Sequence, residues 1–501
     1  MVEKSCDVLV LGGGGSGLVA GVRAAEDGKK VIILEKAKFL GGGMLFASTM
    51  RTFKSRWQKE RNIPDQSEKF IREMMDFTMW RLDIELVKRA VYATGEFFDW
   101  YSAHESEENL AKYEPRPYVF DIPTNGQVGP QVDKFHNGSG RMFVNVMIEY
   151  GKSLGVEMLT ECSGKHAVIK DGKLQGILAD TPEGETVFCF DKLIIANGSW
   201  IKNDEIVGKV LPKFLEADVE KNAHQNPAYT GEAITIAEEI GAFVDWDSMC
   251  LRIMGPIAAT GDRSDLDNLA HAREIILVNE DGKRFVAEPM VPRIDPFATG
   301  HILLMQPHAK SYFVYSKDML EKIIALTKAN AAKADTDVFG MPPLPDYEVV
   351  AGWMSDAEKK NPSWCAIGET IEEAARKMGI NADNLKATVD KYNSCCDKGE
   401  DTEFFKEAKD MIALKEGPYF IVAGKLSTDG AFGGIRVDKD MKVYRNSGEV
   451  FDNVYACGDI ASGRHIVDGG VKKQVLNDMS WALASGFIAG SKSGISSKVT
   501  I

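Results

Sequence analysis

The stretch that most restricts the fold is DVLVLGGGGSG, residues 7–17. The run Asp7–Leu11 is apolar without alternation, which predicts a strand covered on both faces, as in a parallel sheet. Gly12, Gly14 and Gly17 then form G-x-G-x-x-G. In a strand–turn–helix setting the first glycine permits the tight turn. The second lets a pyrophosphate approach, and the third lets helix pack on strand. The N–H groups of Gly15 and Ser16, at the helix start, face an anion. Ser16–Asp27 has a helical pattern, with Gly28 as its C-terminal stop. Val31–Leu34 reads as a second strand that ends in Glu35. A carboxylate about twenty residues beyond the glycines is placed to accept from a ribose diol. The β-α-β unit therefore predicts a dinucleotide site, against the plainer alternative of a glycine-rich turn with no ligand. The following EKAKFLGGGMLFASTM brings Lys36, Gly41–Gly43 and Ser48-Thr49 back toward the nucleotide. A cofactor that extends well beyond its ADP half needs such contacts.

The rest of the chain bounds the class. With 501 residues there is room for roughly two or three domains, at about 100–200 residues each. A formal net charge of −14 argues against nucleic acid as a partner. The eight cysteines are scattered, apart from adjacent Cys395 and Cys396, with no metal or haem spacing. That usage predicts a reduced, cytoplasmic protein without a metal site. No apolar run reaches the length of a membrane span, and the chain enters a strand too early for a signal peptide. Residues 64–101 are mostly helical in pattern. GVEML and KHAVIKDGKLQGILAD read as strands, the latter turning at Asp171-Gly172, and KLIIANG as another buried strand. From Leu251 the texture turns rich in Pro, Gly and charge, with helical stretches at 318–334 and 370–395. The expected organisation is a first domain, 1–250, an inserted domain, 251–430, and a return to the first domain, 431–501. STDGAFGG, 427–434, is predicted to be a loop beside a large ligand.

Several of these segments together resemble the FAD-dependent flavoproteins of the fumarate reductase, succinate dehydrogenase and 3-ketosteroid dehydrogenase superfamily. They are VLVLGGGGSGLVAGVRAAEDGKKVIILEK, IIANG, GKRFVAE, LKATVDKYNSCCDKGEDTEF and GGIRVD…VYACGDIASG. The resemblance runs nearly end to end. It implies an α/β fold, a Rossmann-like FAD-binding domain with an inserted α+β capping domain that holds substrate. Glu35 and Lys36 would serve the adenosine ribose, Gly42 and Gly43 the phosphates, and the main chain near Ala167 the adenine. Asp459 would bind the ribityl chain, and Asn477 would open a helix whose N-terminus stabilises charge on the reduced flavin. Phe39–Met50 contains no histidine for covalent attachment, so the FAD is expected to be dissociable.

The resemblance also implies hydride transfer from flavin N5 to an electron-poor carbon. Arg293, one residue later than the family's acid position after GKRFVAE, is the candidate proton donor, with a surface ion pair to Asp295 as the alternative. The histidines that hold a dicarboxylate in fumarate reductases are missing, with Met254 and Gly430 in their places. Lys472 and Lys473 stand in the loop that otherwise carries an arginine; a solvated lysine pair is the plainer reading. His465 in that loop is more simply structural. Phe432 stands where ketosteroid dehydrogenases have tyrosine chemistry. The expectation is a reductase of an activated C=C or related centre in a bulky organic molecule of steroid or plant-phenolic, isoflavonoid type. The alternatives are ketosteroid-type desaturation and a non-catalytic electron relay. The electron donor is expected to be external: NAD(P)H, a reduced flavin or a redox protein.

Overall fold

The computed structural model describes residues 2–47, 50–110, 114–116, 131–133, 139–217, 219–221, 228–261, 264–270, 272–288, 296–332, 343–468, 471–476 and 478–493. The chain divides into two compact units, Met1–Leu211 with Ala223–Leu251 and Gly430–Ile501, and Pro212–Asn222 with Arg252–Asp429.

The first unit is built on an eight-stranded sheet. Its parallel part runs, side by side, Val450–Ala456, Gly184–Ile195, Val2–Leu11, Val31–Leu34 and Glu157–Leu159. Val8–Leu11 and Val31–Leu34 are buried throughout, as their unbroken apolar sequence predicts. Lys442–Tyr444 lies antiparallel on one edge. Ser163–Lys170 and Lys173–Thr181 form a hairpin added to Gly184–Ile195. Asp171 and Gly172 turn it, both at positive φ, which matches the right-handed twist of the flanking strands. The helix Gly15–Glu26 leaves the first strand through the glycines, and Gly28, in the left-handed region, closes its end. The C-terminal helix Asp478–Ser493 packs on it at close range. A Cβ on Gly486 would overlap the Ser16 carbonyl, and Gly490 stands against Ala20 four residues along. Glycine at both positions lets the two backbones approach. The helical region expected at 64–101 is two helices, Ser67–Phe77 and Ile84–Ser102, interrupted where Met79 and Trp80 take positive φ.

The second unit holds a six-stranded sheet centred on Tyr419–Phe432. Ser311–Ser316 and Cys365–Gly368 pair with it antiparallel, and Val219–Lys221 parallel. The segment 427–434 is thus not a loop throughout. Ser427 and Thr428 pair with Glu220 and Lys221, and the strand ends only at Phe432. Tertiary pairing overrides the turn-like composition of Ser-Thr-Asp-Gly. Apolar residues from the sheet, among them Phe313, Val314 and Ile421, meet Met319, Ile323, Val350, Met354 and Leu385 from the helices. The helical stretch read at 370–395 is two helices, Ile371–Met378 and Ala382–Lys398. Gly379 at φ 71° ends the first, and the Asn381 side chain caps the second. The G-K-R-F-x-x-E segment proves to be core. Buried Arg284 grips Glu288 at 2.7 and 2.8 Å and Asp401 at 2.9 Å. Lys406 joins them, 3.5 Å from Glu288, while donating to the Ile275 carbonyl.

Candidate dinucleotide site

The glycine loop sits at the carboxyl ends of the parallel strands, where open α/β sheets bind ligands. Gly12 has φ 103°, and a Cβ there would overlap the Ala196 carbonyl, so this turn admits no other residue without movement. A Cβ on Gly17 would strike the Gly12 carbonyl, which is the helix-on-strand packing expected of the third glycine. Gly14 differs. Nothing lies within 4 Å of a Cβ built on it, so its backbone borders open space at the start of the Gly15–Glu26 helix. The second glycine thus faces room for an anion, with the helix N-terminus behind it.

Glu35 closes one side. Its carboxylate accepts from Gly13 N at 2.8 Å and Ala37 N at 2.7 Å, tying the glycine turn to the end of the second strand. Burial pushes its carboxyl up, with those two N–H groups pulling against it. Gly42 and Gly43 open a short 3₁₀ turn. Gly41 N donates to Gly13 O at 2.8 Å, and a Cβ on Gly42 would lie 3.4 Å from Gly14 Cα. The two glycine clusters therefore meet. Asp459 arrives from the far end of the chain, in the turn Gly458–Ile460. Gly458, at φ 75°, is pressed against the Ser16 side chain, which couples this turn to the glycine-loop helix. The Asp459 carboxylate lies 3.4 Å from Arg464 Nη2, and that buried guanidinium also reaches Asp478 at 2.8 Å.

Two further expected contacts lie in this unit but are engaged by the protein itself. Lys36 pairs with Glu232 at 2.6 Å and with the Thr230 hydroxyl. Ala167 N donates to Glu239 at 2.7 Å, and His166 meets the same carboxylate. The helix Glu232–Glu239 is thereby held at both ends to segments expected around the nucleotide. Sequence reasoning missed Glu232, Glu239, Arg464 and Tyr229. Thr-Gly-Glu at 230–232 carries a helix-start signal, but nothing local tells which lysine it meets. Ser48, Arg293 and Asn477 lie outside the described residues. Lys472 and Lys473 lie on the strand Val471–Gln474, paired with His465–Asp468. His465 is 1% exposed, and its Nε2 is 2.7 Å from the Ser248 carbonyl. Among the described residues no group of His, Cys, Asp and Glu is arranged to hold a metal ion, and no helix is long and apolar enough to cross a membrane.

A parallel sheet with a glycine-cradled helix N-terminus, a carboxylate at the end of the second strand and a second glycine turn is the arrangement of a dinucleotide-binding protein. Residues 7–470 match the FAD binding domain family, and the chain belongs to it. Urocanate reductase of Eggerthella lenta is 28% identical over 469 residues, covering 91% of this chain and 70% of that protein. Vinyl phenol reductase of Lactiplantibacillus plantarum is 22% identical over 477 residues, covering 92% of this chain and 91% of that one. The solved 3-ketosteroid delta1-dehydrogenase of Sterolibacterium denitrificans shares the fold, with a TM-score of 0.71 at 14% identity over 98% of this chain and 99% of the other. The residues present fit FAD. Gly14 borders open space, and the buried Oδ1 of Asn197, beside Gly12, has no partner in the protein. The protein is an FAD-dependent oxidoreductase of the reductase and dehydrogenase type.

Proposed function

We propose that this oxidoreductase reduces an activated C=C bond in a bulky, ring-bearing organic molecule, of steroid or plant-phenolic type, and not a small dicarboxylate. The observation that carries this reading is His465. The histidine at the start of the strand His465–Asp468 is buried with its Nε2 2.7 Å from the Ser248 carbonyl, which supports a structural role for it. Met254 and Gly430 stand at the positions where fumarate reductases hold theirs. A dianion would forgo charge-assisted hydrogen bonds of about 1.5–3 kcal/mol each. Relatives named for urocanate and vinyl phenol are in keeping with a wider substrate range.

When bound, FAD supplies a hydride to the electron-poor carbon. The chain's own residues bind and orient. Gly14, Gly15 and Ser16 offer backbone N–H groups to the phosphates, Glu35 the ribose contact, and Asp459 the ribityl contact. Arg293 delivers the balancing proton from its guanidinium to the neighbouring carbon and is restored by solvent. Lys472 and Lys473 offset negative charge on a phenolate or on the reduced cofactor. The two electrons come from an external donor, NAD(P)H, a reduced flavin or a redox protein, and the FAD is dissociable.

The test is anaerobic. The protein-bound FAD is reduced with dithionite, and its reoxidation is followed by absorbance after mixing with fumarate, cinnamate-type acids, isoflavones or steroid enones. Ring-bearing acceptors are expected to reoxidise it faster than fumarate. Fumarate reoxidising it as fast as any of them overturns the reading. Arg293→Ala is expected to keep its FAD and lose turnover; unchanged turnover removes Arg293 from the chemistry.

A further inference from the structure

We infer that Tyr229 is a positioning residue for the cofactor, its phenol donating a hydrogen bond to the pyrophosphate held over the glycine loop. Two contacts place it there. A Cβ on Gly43 would lie 2.9 Å from the Tyr229 hydroxyl oxygen, and one on Gly42 3.9 Å from it. Gly42 in turn abuts Gly14, the glycine that borders open space, so the phenol tip is beside the anion cradle. On its other side, a Cβ on Gly198 would lie 3.4 Å from the Tyr229 ring. Gly198 is at φ 75° and follows Asn197, whose buried Oδ1 has no partner in the protein. The orphaned amide oxygen is an acceptor and calls for a donor such as a ligand hydroxyl, and the Tyr229 ring packs on the residue next to it.

The chemistry of the phenol suits the task. A phenol has one proton to donate as well as lone pairs to accept with, so beside the backbone of Gly42 and Gly43 it has a proton to give to an anion. Burial holds the hydroxyl protonated far above its ordinary range, reinforced by the negative charges of Asp459 and Glu35 and opposed by the Gly43 N–H. A neutral donor at an anionic site adds a charge-assisted bond without adding charge. Tyr229 also precedes Thr230 and Glu232, which hold Lys36, so the turn that carries it is anchored.

Tyr229 would serve the cofactor whichever substrate is reduced. Its test uses Tyr229→Phe, which keeps the ring and removes only the hydroxyl. Dissociation of FAD and of ADP from the apoprotein is measured by flavin fluorescence and by calorimetry, and riboflavin, which has no phosphate, serves as the comparison. Both phosphate-bearing ligands are expected to weaken by about tenfold to a hundredfold, the loss that follows from one hydrogen bond to a charged group. Riboflavin binding and the melting temperature of the apoprotein are expected to be unchanged. Wild-type affinity for FAD and ADP in the variant overturns the proposal. Equal weakening of riboflavin, or a lower apoprotein melting temperature, also overturns it, because either marks a packing role.

Discussion

Glu35 has more to do than its position in the sequence discloses. A carboxylate at the end of the second strand is legible as a ribose contact, yet here it also accepts from Gly13 and Ala37. Glu35→Gln leaves one oxygen where two N–H groups converge and turns an NH₂ toward a donor. The expected cost is about 1–3 kcal/mol in the apoprotein, read from urea unfolding, beyond any loss of FAD. Lys36 and Glu232 give a pH signature. Burial raises the Glu232 carboxyl, but hydrogen bonds from Lys36 and Thr230 outweigh it, so the group titrates below its ordinary value of 4.5. A depressed carboxylate contributes stability that is present above the ordinary value and is lost as pH falls through the folded one. The stability gap between wild type and Glu232→Gln is therefore expected to be full at pH 7 and to close as pH drops below about 4.5. A gap that stays constant with pH refutes the ion pair. The glycines and Glu35 were readable because their roles are local; Tyr229, Glu232 and Glu239 act across long sequence separations, which no local pattern records.

At the scale of elements, the crossing of the glycine-loop helix with the C-terminal helix stands out as a fixed distance. Gly486→Ala would push a methyl into the Ser16 carbonyl, in the first turn of the glycine-loop helix. Overpacking of this kind costs about 1–3 kcal/mol, and FAD affinity is expected to fall with it. Thermal melts with and without FAD check both; an unshifted apoprotein melt would show that the helices part freely. The β-α-β unit was legible because its hydrophobic period changes sharply at the glycines. The strand Tyr419–Phe432 was not. Its last residues are polar and small, and their pairing with Val219–Lys221 is set by segments about two hundred residues away. The division of 370–395 into two helices did leave a signal, a glycine and then an asparagine at 379 and 381, which a continuous apolar pattern masked.

At the scale of the molecule, the segment GKRFVAE contributes to the interior of the second unit. Arg284, Glu288, Asp401 and Lys406 form a buried network in which each charge has a partner. Glu288→Ala leaves two cations facing one carboxylate and is expected to cost about 3–5 kcal/mol, measured by chemical unfolding. The motif was legible as a family mark, but a sequence alone does not distinguish a conserved-looking charge that reacts from one that holds a core together. The first unit has a different peculiarity. Its sheet sets Val450–Ala456 beside Gly184–Ile195, and the glycine-loop helix is covered by Asp478–Ser493. A chain leaving the ribosome therefore presents its glycine turn some four hundred residues before the segments that cover it, at about 450–493. Contacts that span nearly the whole length form slowly, because the loop must close before they repay it. Nascent chains stalled before residue 450 are expected to retain no flavin, so loading with cofactor waits for residues 450–493.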